Sequence, residues 1–266
     1  MFFQTFTPSP IFLQLGPVAL HWYGLLVALG VLVGYFVAYK LWQRSGREVK
    51  RFEQLVLWIV LAGFVGARLV DVFLFEWDYF KDNLILIPQI WQGGLAIHGG
   101  LLGGFLVLWW YAKKRKDSLW QMLDIFTPAV VLGQAVGRWG NYFNQELFGA
   151  PTTLPWGIYI EPVYRPAVYI ASEFFHPVFL YESLVLFAIF FLLRWLAKDK
   201  IKSGTIFLVY LSAASLVRLT LEFIRVDEQL LIWRLRSGLL LSLTLLFVSL
   251  VLLTKLYFKK KPSPIH

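Results

Sequence analysis

The chain has 266 residues, of which 58% are hydrophobic and only 15% charged. A soluble domain carries about 25% charged residues, and the apolar residues here fall in runs of around 20, enough to span a bilayer core of roughly 30 Å. A soluble globular fold is excluded on these grounds. The absence of cysteine excludes disulfides, thiolate metal sites and thioester intermediates on the chain itself. The net charge of +9 does not point to nucleic acid, because most of the basic residues gather in alternate links between the apolar runs.

Residues 1–39 contain no Lys or Arg. The basic leader of a cleavable signal peptide is missing, so the first apolar run is expected to stay in the mature protein. Seven spans are predicted, at 18–39, 54–76, 94–112, 120–138, 177–195, 204–224 and 237–257. The fold class is all-α: a polytopic membrane protein whose single transmembrane domain covers 1–266. Alternate links hold Lys40, Arg44, Arg47, Lys50 and Arg51, then Lys113, Lys114, Arg115 and Lys116, then Arg194, Lys198, Lys200 and Lys202. With Lys255, Lys259, Lys260 and Lys261 of the tail, 17 of the 25 basic residues share one side. The positive-inside rule makes that side cytoplasmic, with the N-terminus outside and the C-terminus inside.

The opposite side carries the links 77–93, 139–176 and 225–236. The first, with Asp78, Lys81 and Asp82, is expected to form a short extracytoplasmic arm. The second is too long for a turn and holds Pro151, Pro155, Pro162 and Pro166, with Pro177 just beyond. It is expected to fold as a small extracytoplasmic cap, with short strands at 156–160 and 167–170. No internal repeat of the transporter kind is visible. Glycines four apart (Gly30/Gly34, Gly99/Gly103, Gly100/Gly104, Gly133/Gly137) are expected to let helices pack closely.

The densest polar stretch is Gly137-Arg138-Trp139-Gly140-Asn141-Tyr142-Phe143-Asn144-Gln145-Glu146-Leu147-Phe148-Gly149. It sets an Arg, two Asn and a Glu at the end of an apolar span, where charge is costly unless paired or used. An Arg beside amide donors suits a phosphate, so the stretch reads as a grip on a phospholipid headgroup. Arg218, Glu222 and Arg225 lie on one helical face near the outer end of span six, Arg218 about 20 Å from its inner end. His98 opens span three, His21, Trp22 and Tyr23 open span one, and Arg68 lies in the outer half of span two. Five spans thus bring polar side chains to one level of the bilayer, where each charge costs about 2.5–3.5 kcal/mol on insertion scales. Structural readings compete for each of them. Arg218–Glu222 fits an interhelical pair, Arg225 and Arg68 interfacial anchors, His21, Trp22 and Tyr23 an aromatic belt. His98 fits a core histidine, Asn141 and Asn144 turn caps, and Glu146 a counter-ion.

The signature 137–149 resembles that of the bacterial phosphatidylglycerol–prolipoprotein diacylglyceryl transferase family. His21-Trp22-Tyr23-Gly24, Gly93-Gly94-Leu95-Ala96-Ile97-His98-Gly99-Gly100, His176-Pro177 with Tyr181-Glu182, and Arg218 through Arg225 follow in that family's order, over nearly the whole chain. The sequence departs from the family pattern at Gln145, where Gly is common, and at Gln92, Phe148, Phe179 and Ala214. The resemblance implies a bacterial inner-membrane enzyme. Such an enzyme moves the diacylglyceryl group of phosphatidylglycerol to the lipobox cysteine thiol of a prolipoprotein signal sequence and releases glycerol phosphate. It also implies importance for Tyr23, His98, Arg138, Asn141, Glu146, Gly149, Arg218 and Glu222.

For that reaction Arg138 and Arg218 are the expected phosphate clamp, held in place by Glu146 and Glu222. Arg225 is expected to admit the headgroup, and Asn141, Asn144, Tyr23 and Gly149 to contact the donor lipid. His98 is the candidate base, histidine being the side chain that titrates near neutral pH. An arginine field that acidifies the thiol without a base is the competing version. His21, His98, His176 and His266 lack metal-ligand spacing, so no metal and no cofactor is expected. A monomer is expected, with no nucleic-acid partner. The rival reading, a transporter or binding protein for an anionic solute, requires polar residues through the inner half of the spans, and these are not seen.

Overall fold

The computed structural model describes residues 2–16, 18–90, 93–198, 200–226, 231–232 and 235–258. Gln92, the tail lysines Lys259, Lys260 and Lys261, and His266 lie outside them. The chain opens with helix α1 (Phe2–Thr5) and an antiparallel hairpin, β1 (Ile11–Leu15) and β2 (Val18–His21). Helices α2 (Trp22–Arg44) and α3 (Val49–Val70) follow. A π-helical turn, Asp71–Phe75, continues α3 before the short α4 (Trp77–Phe80). Then come α5 (Ile97–Arg115) and α6 (Leu119–Phe143). The 144–177 insertion holds strands β3 (Ile158–Tyr159) and β4 (Phe174–Phe175), paired antiparallel. Helices α7 (Val178–Leu196) and α8 (Thr205–Glu222), a small hairpin of β5 (Leu231–Ile232) and β6 (Leu235–Arg236), and α9 (Ser237–Phe258) complete it.

Six of these helices (α2, α3 with its π turn, α6, α7, α8 and α9) are long and apolar enough to cross a membrane. Their exposed faces carry side chains such as Leu57, Trp58, Leu61 and Phe64 on α3, and Leu241, Leu243, Phe247 and Leu250 on α9. An apolar surface of that extent suits lipid and not water. The remaining long helix, α5, has 19 residues, but four glycines and three terminal basic residues make it less apolar. Basic residues occupy the last turns of α2, α3, α5, α7 and α9, where they complement the helix dipole.

The expectations need three adjustments. The first span begins at Trp22 because 18–21 pair as a strand. The signature helix α6 runs on to Phe143, so Asn141 belongs to its last turn and not to a loop. Within the insertion, 156–160 contains the two-residue β3, whereas 167–169 forms a 3-10 turn. Proline at 166 fixes the entry to that turn and removes a donor that a strand would need. The class all-α is therefore mostly helical, with three two-stranded sheets among the described residues.

The chain divides into two compact units, residues 38–125 and residues 1–37 with 126–266. In the first, α3 and α5 pack through backbone: a Cβ on Gly99 would overlap the Gly66 carbonyl and lie 2.8 Å from the Val70 Cβ. Arg68 is buried here and serves as a strut. It donates to the carbonyls of Leu86 (3.0 Å), Ile87 (2.7 Å), Gly93 (2.9 Å) and Gly94 (2.9 Å), and pairs with Asp71 at 3.4 Å. Its guanidinium lies 4.8 Å from the Phe80 ring. Arg68 thus ties the arm that returns from α4 to α5 back onto α3. Arg68→Ala strands those carbonyls and Asp71, and is expected to cost about 3–5 kcal/mol, read as a lowered Tm in detergent.

In the second unit, α6, α7 and α8 share a core of Val131, Ala135, Leu186, Ile189, Leu193 and Ile206. Ser183 Oγ donates to the Ala135 carbonyl at 2.8 Å, Trp139 Nε1 donates to Ser183 Oγ at 3.2 Å, and Tyr210 donates to Gln134 at 3.0 Å. These bonds fix the rotation of α7 and α8 against α6. The spaced glycines behave unequally. Gly30 and Gly133 are in close approach, and Gly34 lies against Ala129, but a Cβ on Gly137 would meet nothing within 4 Å.

Candidate active site

The second unit gathers charge where α6 ends, α7 begins, α8 ends and α9 begins. Glu182, in the first turns of α7, is 5% exposed at its side chain. Its two oxygens face different cations: Oε2 meets Arg138 Nε at 2.5 Å, and Oε1 lies 3.6 Å from Arg225 Nη1. Glu222, the last residue of α8 and equally buried, does the same. Oε2 lies 3.1 Å from Arg218 Nη2, one turn back, and Oε1 lies 3.0 Å from Arg236 Nη1. The Arg236 guanidinium also donates to the backbone carbonyl of Arg225 at 3.2 Å. One connected chain therefore runs Arg138–Glu182–Arg225–Arg236–Glu222–Arg218.

The exposure pattern gives this chain a direction. Both carboxylates are sealed, while Arg138 keeps 34% and Arg218 23% of its side-chain surface open. Carboxylates behind and guanidiniums in front form a fixed cationic surface. Buried carboxylates at such a site are stable only with good partners, and here each has two.

Tyr23 packs on the signature helix, where a Cβ on Gly140 would lie 2.6 Å from its ring. There it is within electrostatic reach of both Arg138 and Glu146. Trp22 stacks on Phe143 at 4.4 Å, which sets the start of α2 against the end of α6. Among the described residues Glu146 pairs with no arginine, contrary to expectation. It accepts from Asn141 Nδ2 at 3.2 Å and from Asn144 Nδ2 at 3.0 Å. The cause is the turn that follows α6, in which Gln145 (φ 55°) and Leu147 (φ 53°) both adopt the left-handed region. Such residues are rare there without a compensating contact.

Gln145 has that contact. It donates to the Pro8 carbonyl (3.1 Å) and to Glu161 Oε1 (3.2 Å), and it accepts from the Glu161 backbone N–H (2.7 Å). It pins the N-terminal segment and the insertion to the turn that carries Glu146. Gln145→Ala keeps the strained φ and loses all three bonds. The expected cost is about 1–3 kcal/mol, and faster protease cleavage in the first ten residues would register it.

Gly149 enters the site by backbone. Its N–H donates to the His176 carbonyl at 2.8 Å, and it pairs with Arg225 as an antiparallel bridge. The Ala150 N–H donates to the Ile224 carbonyl at 2.7 Å. A Cβ at 149 would lie 2.7 Å from Ile224 Cγ2 and 2.9 Å from His176 Cβ. Arg225, beyond the end of α8, reaches Glu182. Beneath the insertion, Tyr142, Phe148, Ile158, Ile160, Phe175 and Phe179 form a core, with Tyr142 stacked on Phe179 at 4.9 Å. His176 Nδ1 and Trp156 Nε1 both meet the Tyr181 hydroxyl, at 3.1 and 2.8 Å.

His98 lies in the other unit, exposed in the first turn of α5. Among the described residues no cluster of His, Cys, Asp or Glu suits a metal ion.

Residues 10–255 match the sequence profile of the family described as prolipoprotein diacylglyceryl transferase. The chain belongs to that family. Curated relatives carry the name phosphatidylglycerol–prolipoprotein diacylglyceryl transferase. The protein from Nostoc sp. is 42% identical over 264 residues, covering 97% of this chain and 93% of its own. That from Synechocystis sp. is 42% identical over 273 residues, covering 99% and 95%. A relative from Geobacillus kaustophilus is 41% identical over 247 residues, covering 91% and 90%.

Two members of the charge chain escape a reading of the sequence as a site. Glu182 carries a usable signal, being a carboxylate one turn inside an apolar span, where charge is costly unless paired. Arg236 carries little, since it sits in a short link with other charges. Both lie in the charge chain that links Arg138 to Arg218.

Proposed function

We propose that the chain is a phosphatidylglycerol–prolipoprotein diacylglyceryl transferase acting on the lipobox cysteine of a prolipoprotein signal sequence. The thiol sulfur attacks the glycerol carbon that bears the phosphate. A carbon–oxygen bond breaks, a thioether forms, and glycerol phosphate leaves with the bonding electrons. The reaction is the first step of lipoprotein maturation. Family membership over residues 10–255 supports it, and the observation that carries the chemistry is the linked arginine chain.

Charge grows on the phosphate oxygen as the bond breaks. Fixed cations in a dry site stabilise that charge without reorganisation. Arg138 and Arg218 are the clamp, oriented by Glu182 and Glu222. Arg225, paired with Glu182 and bonded through its carbonyl to Arg236, links the two halves of the chain and guides the headgroup. Asn141, Asn144 and Tyr23 receive the glycerol end, with Glu146 orienting the two amides. A free thiol is mostly protonated at neutral pH, and His98 takes its proton. His98→Gln is expected to slow transfer. A near-normal rate would leave thiol activation to the arginine field.

The reading also sets topology. All seven long helices cross, the N-terminus and the 144–177 insertion face outward, and the basic links face the cytosol, as the charge asymmetry requires. The arginine chain then sits at the outer leaflet of the bacterial inner membrane, where a translocated signal sequence presents its cysteine. The decisive assay mixes purified protein, labelled phosphatidylglycerol and a lipobox peptide. Label must move to the peptide, and must not move when its cysteine is serine. Label moving to the serine peptide would remove the thiol acceptor, and no transfer at all would return the chain to the solute-binding alternative.

A further inference from the structure

The 144–177 insertion contains a cavity of about 460 Å³ lined by Pro151, Thr152, Thr153, Ser172, Glu173 and Phe174. The backbone beside it belongs to a small ordered ribbon. Residues 149–152 run between Ile224–Arg225 on one side and 174–176 on the other: Gly149 bridges Arg225, Ala150 N–H donates to Ile224, His176 N–H to Ala150, and Thr152 N–H to Phe174. One strand therefore begins at the arginine chain and ends at the cavity. Three steps of extended chain cover about 10 Å. A polypeptide whose cysteine reacts beside Arg138 and Arg225 would reach the cavity with its third or fourth following residue.

The lining fits a peptide better than a lipid headgroup. Thr153 and Glu173 are exposed and Ser172 half-buried. Thr153 Oγ1, Ser172 Oγ and the Glu173 carboxylate make no hydrogen bond to protein among the described residues, while Thr152 Oγ1 accepts from the Leu154 N–H at 3.2 Å. Three hydroxyls and a carboxylate offer acceptors to backbone N–H groups and to cationic side chains. The carboxylate repels phosphate. Elsewhere in the insertion, Arg165 donates to the carbonyls of Ile160 and Ile170 (2.8 and 2.9 Å) and lies over Tyr159 at 5.5 Å.

We infer that this cavity binds the acceptor prolipoprotein, taking in extended form the residues that follow the lipobox cysteine. The inference rests on the transferase reading and adds to it a second contact for the same substrate. It makes part of acceptor affinity independent of the signal sequence and of the donor lipid, and it favours neutral or basic residues at the third to sixth positions after the cysteine.

Two lipobox peptides test it, one ending at the residue after the cysteine and one continuing for six more. With wild-type protein the longer peptide is expected to show a KM about tenfold lower, equivalent to about 1.4 kcal/mol, at unchanged kcat. Thr153→Trp with Ser172→Trp, which fills the cavity, should erase that difference while leaving the KM for phosphatidylglycerol and the rate with the short peptide as they were. Glu173→Lys should reverse the preference between basic and acidic extensions. Equal KM values for the two peptides in wild type, or a difference that survives the filled cavity, overturns the inference. A photo-crosslinking residue four places after the cysteine supplies a readout that needs no turnover. Attachment within 151–153 or 172–174 without label transfer would keep the cavity and discard the transferase reading. Transfer with attachment elsewhere would do the reverse.

Discussion

Glu182→Gln is expected to abolish transfer, by at least 10²-fold in kcat/KM, about 2.7 kcal/mol or more of transition-state stabilisation. The carboxylate is the single group between Arg138 and Arg225 in the described ion pairs. An amide of the same shape keeps the packing but removes the charge that holds two guanidiniums near one another. Arg138 then loses its orientation, and the two cations repel in a poorly solvated place. Removing one partner of a buried pair costs about 3–5 kcal/mol, so a lower Tm accompanies the loss. Glu182→Asp separates the two effects. The charge is retained and the reach shortened, so Tm should largely recover while kcat/KM stays low. Full activity in Glu182→Gln would mean that the clamp does not depend on this carboxylate, and the assignment of Arg138 would fall with it.

Gly99→Leu is expected to prevent accumulation of folded protein. At this point α5 meets α3 backbone to backbone, and even a methyl at 99 overlaps the Gly66 carbonyl and comes within 2.8 Å of Val70. Overpacking a tight site by a few carbons costs about 1–3 kcal/mol when neighbours can shift. Here the obstacle is main chain, which cannot step aside without moving a helix. Gly100→Ala makes the control on the next residue, because its Cβ would sit 3.5 Å from the Gly63 carbonyl and 3.7 Å from Ala67, ordinary contact distances. It should express and melt like wild type. Equal yields for Gly99→Leu and Gly100→Ala would show that the two helices need not touch where they are drawn together.

Much of this architecture is legible in the sequence because lipid imposes a simple rule: backbone must be bonded within a helix and side chains must be apolar. Hence the long helices, the basic links and the polar end of α6 can be read from residues alone, and Arg218–Glu222 follows from helical spacing. What cannot be read is partner choice across elements. Arg138 has Glu146 eight residues away in sequence, yet it pairs with Glu182, because Trp139, Ser183 and Ala135 lock α6 to α7 and the left-handed turn at Gln145 directs Glu146 elsewhere. Arg68 is left open between site and anchor for a related reason. Its depth in a span suggests a site, but four carbonyls of a returning arm claim its donors. The insertion is the least legible part, since its order comes from single residues such as Gln145 and Arg165 that bind main chain at a distance.

The ribbon at 149–152 serves the charged cluster along one edge and the insertion along the other, so the two cannot be separated by deletion. Removing residues 149–152 or 174–176 would withdraw the strand that supports Arg225. The insertion's outer rim is different. Val163 and Val168 are 79% and 85% exposed in 3-10 turns, bounded by the Arg165 staple. A short epitope grafted at either of these two valines would give an antibody a rigid handle on the membrane-embedded chain while leaving its interior undisturbed.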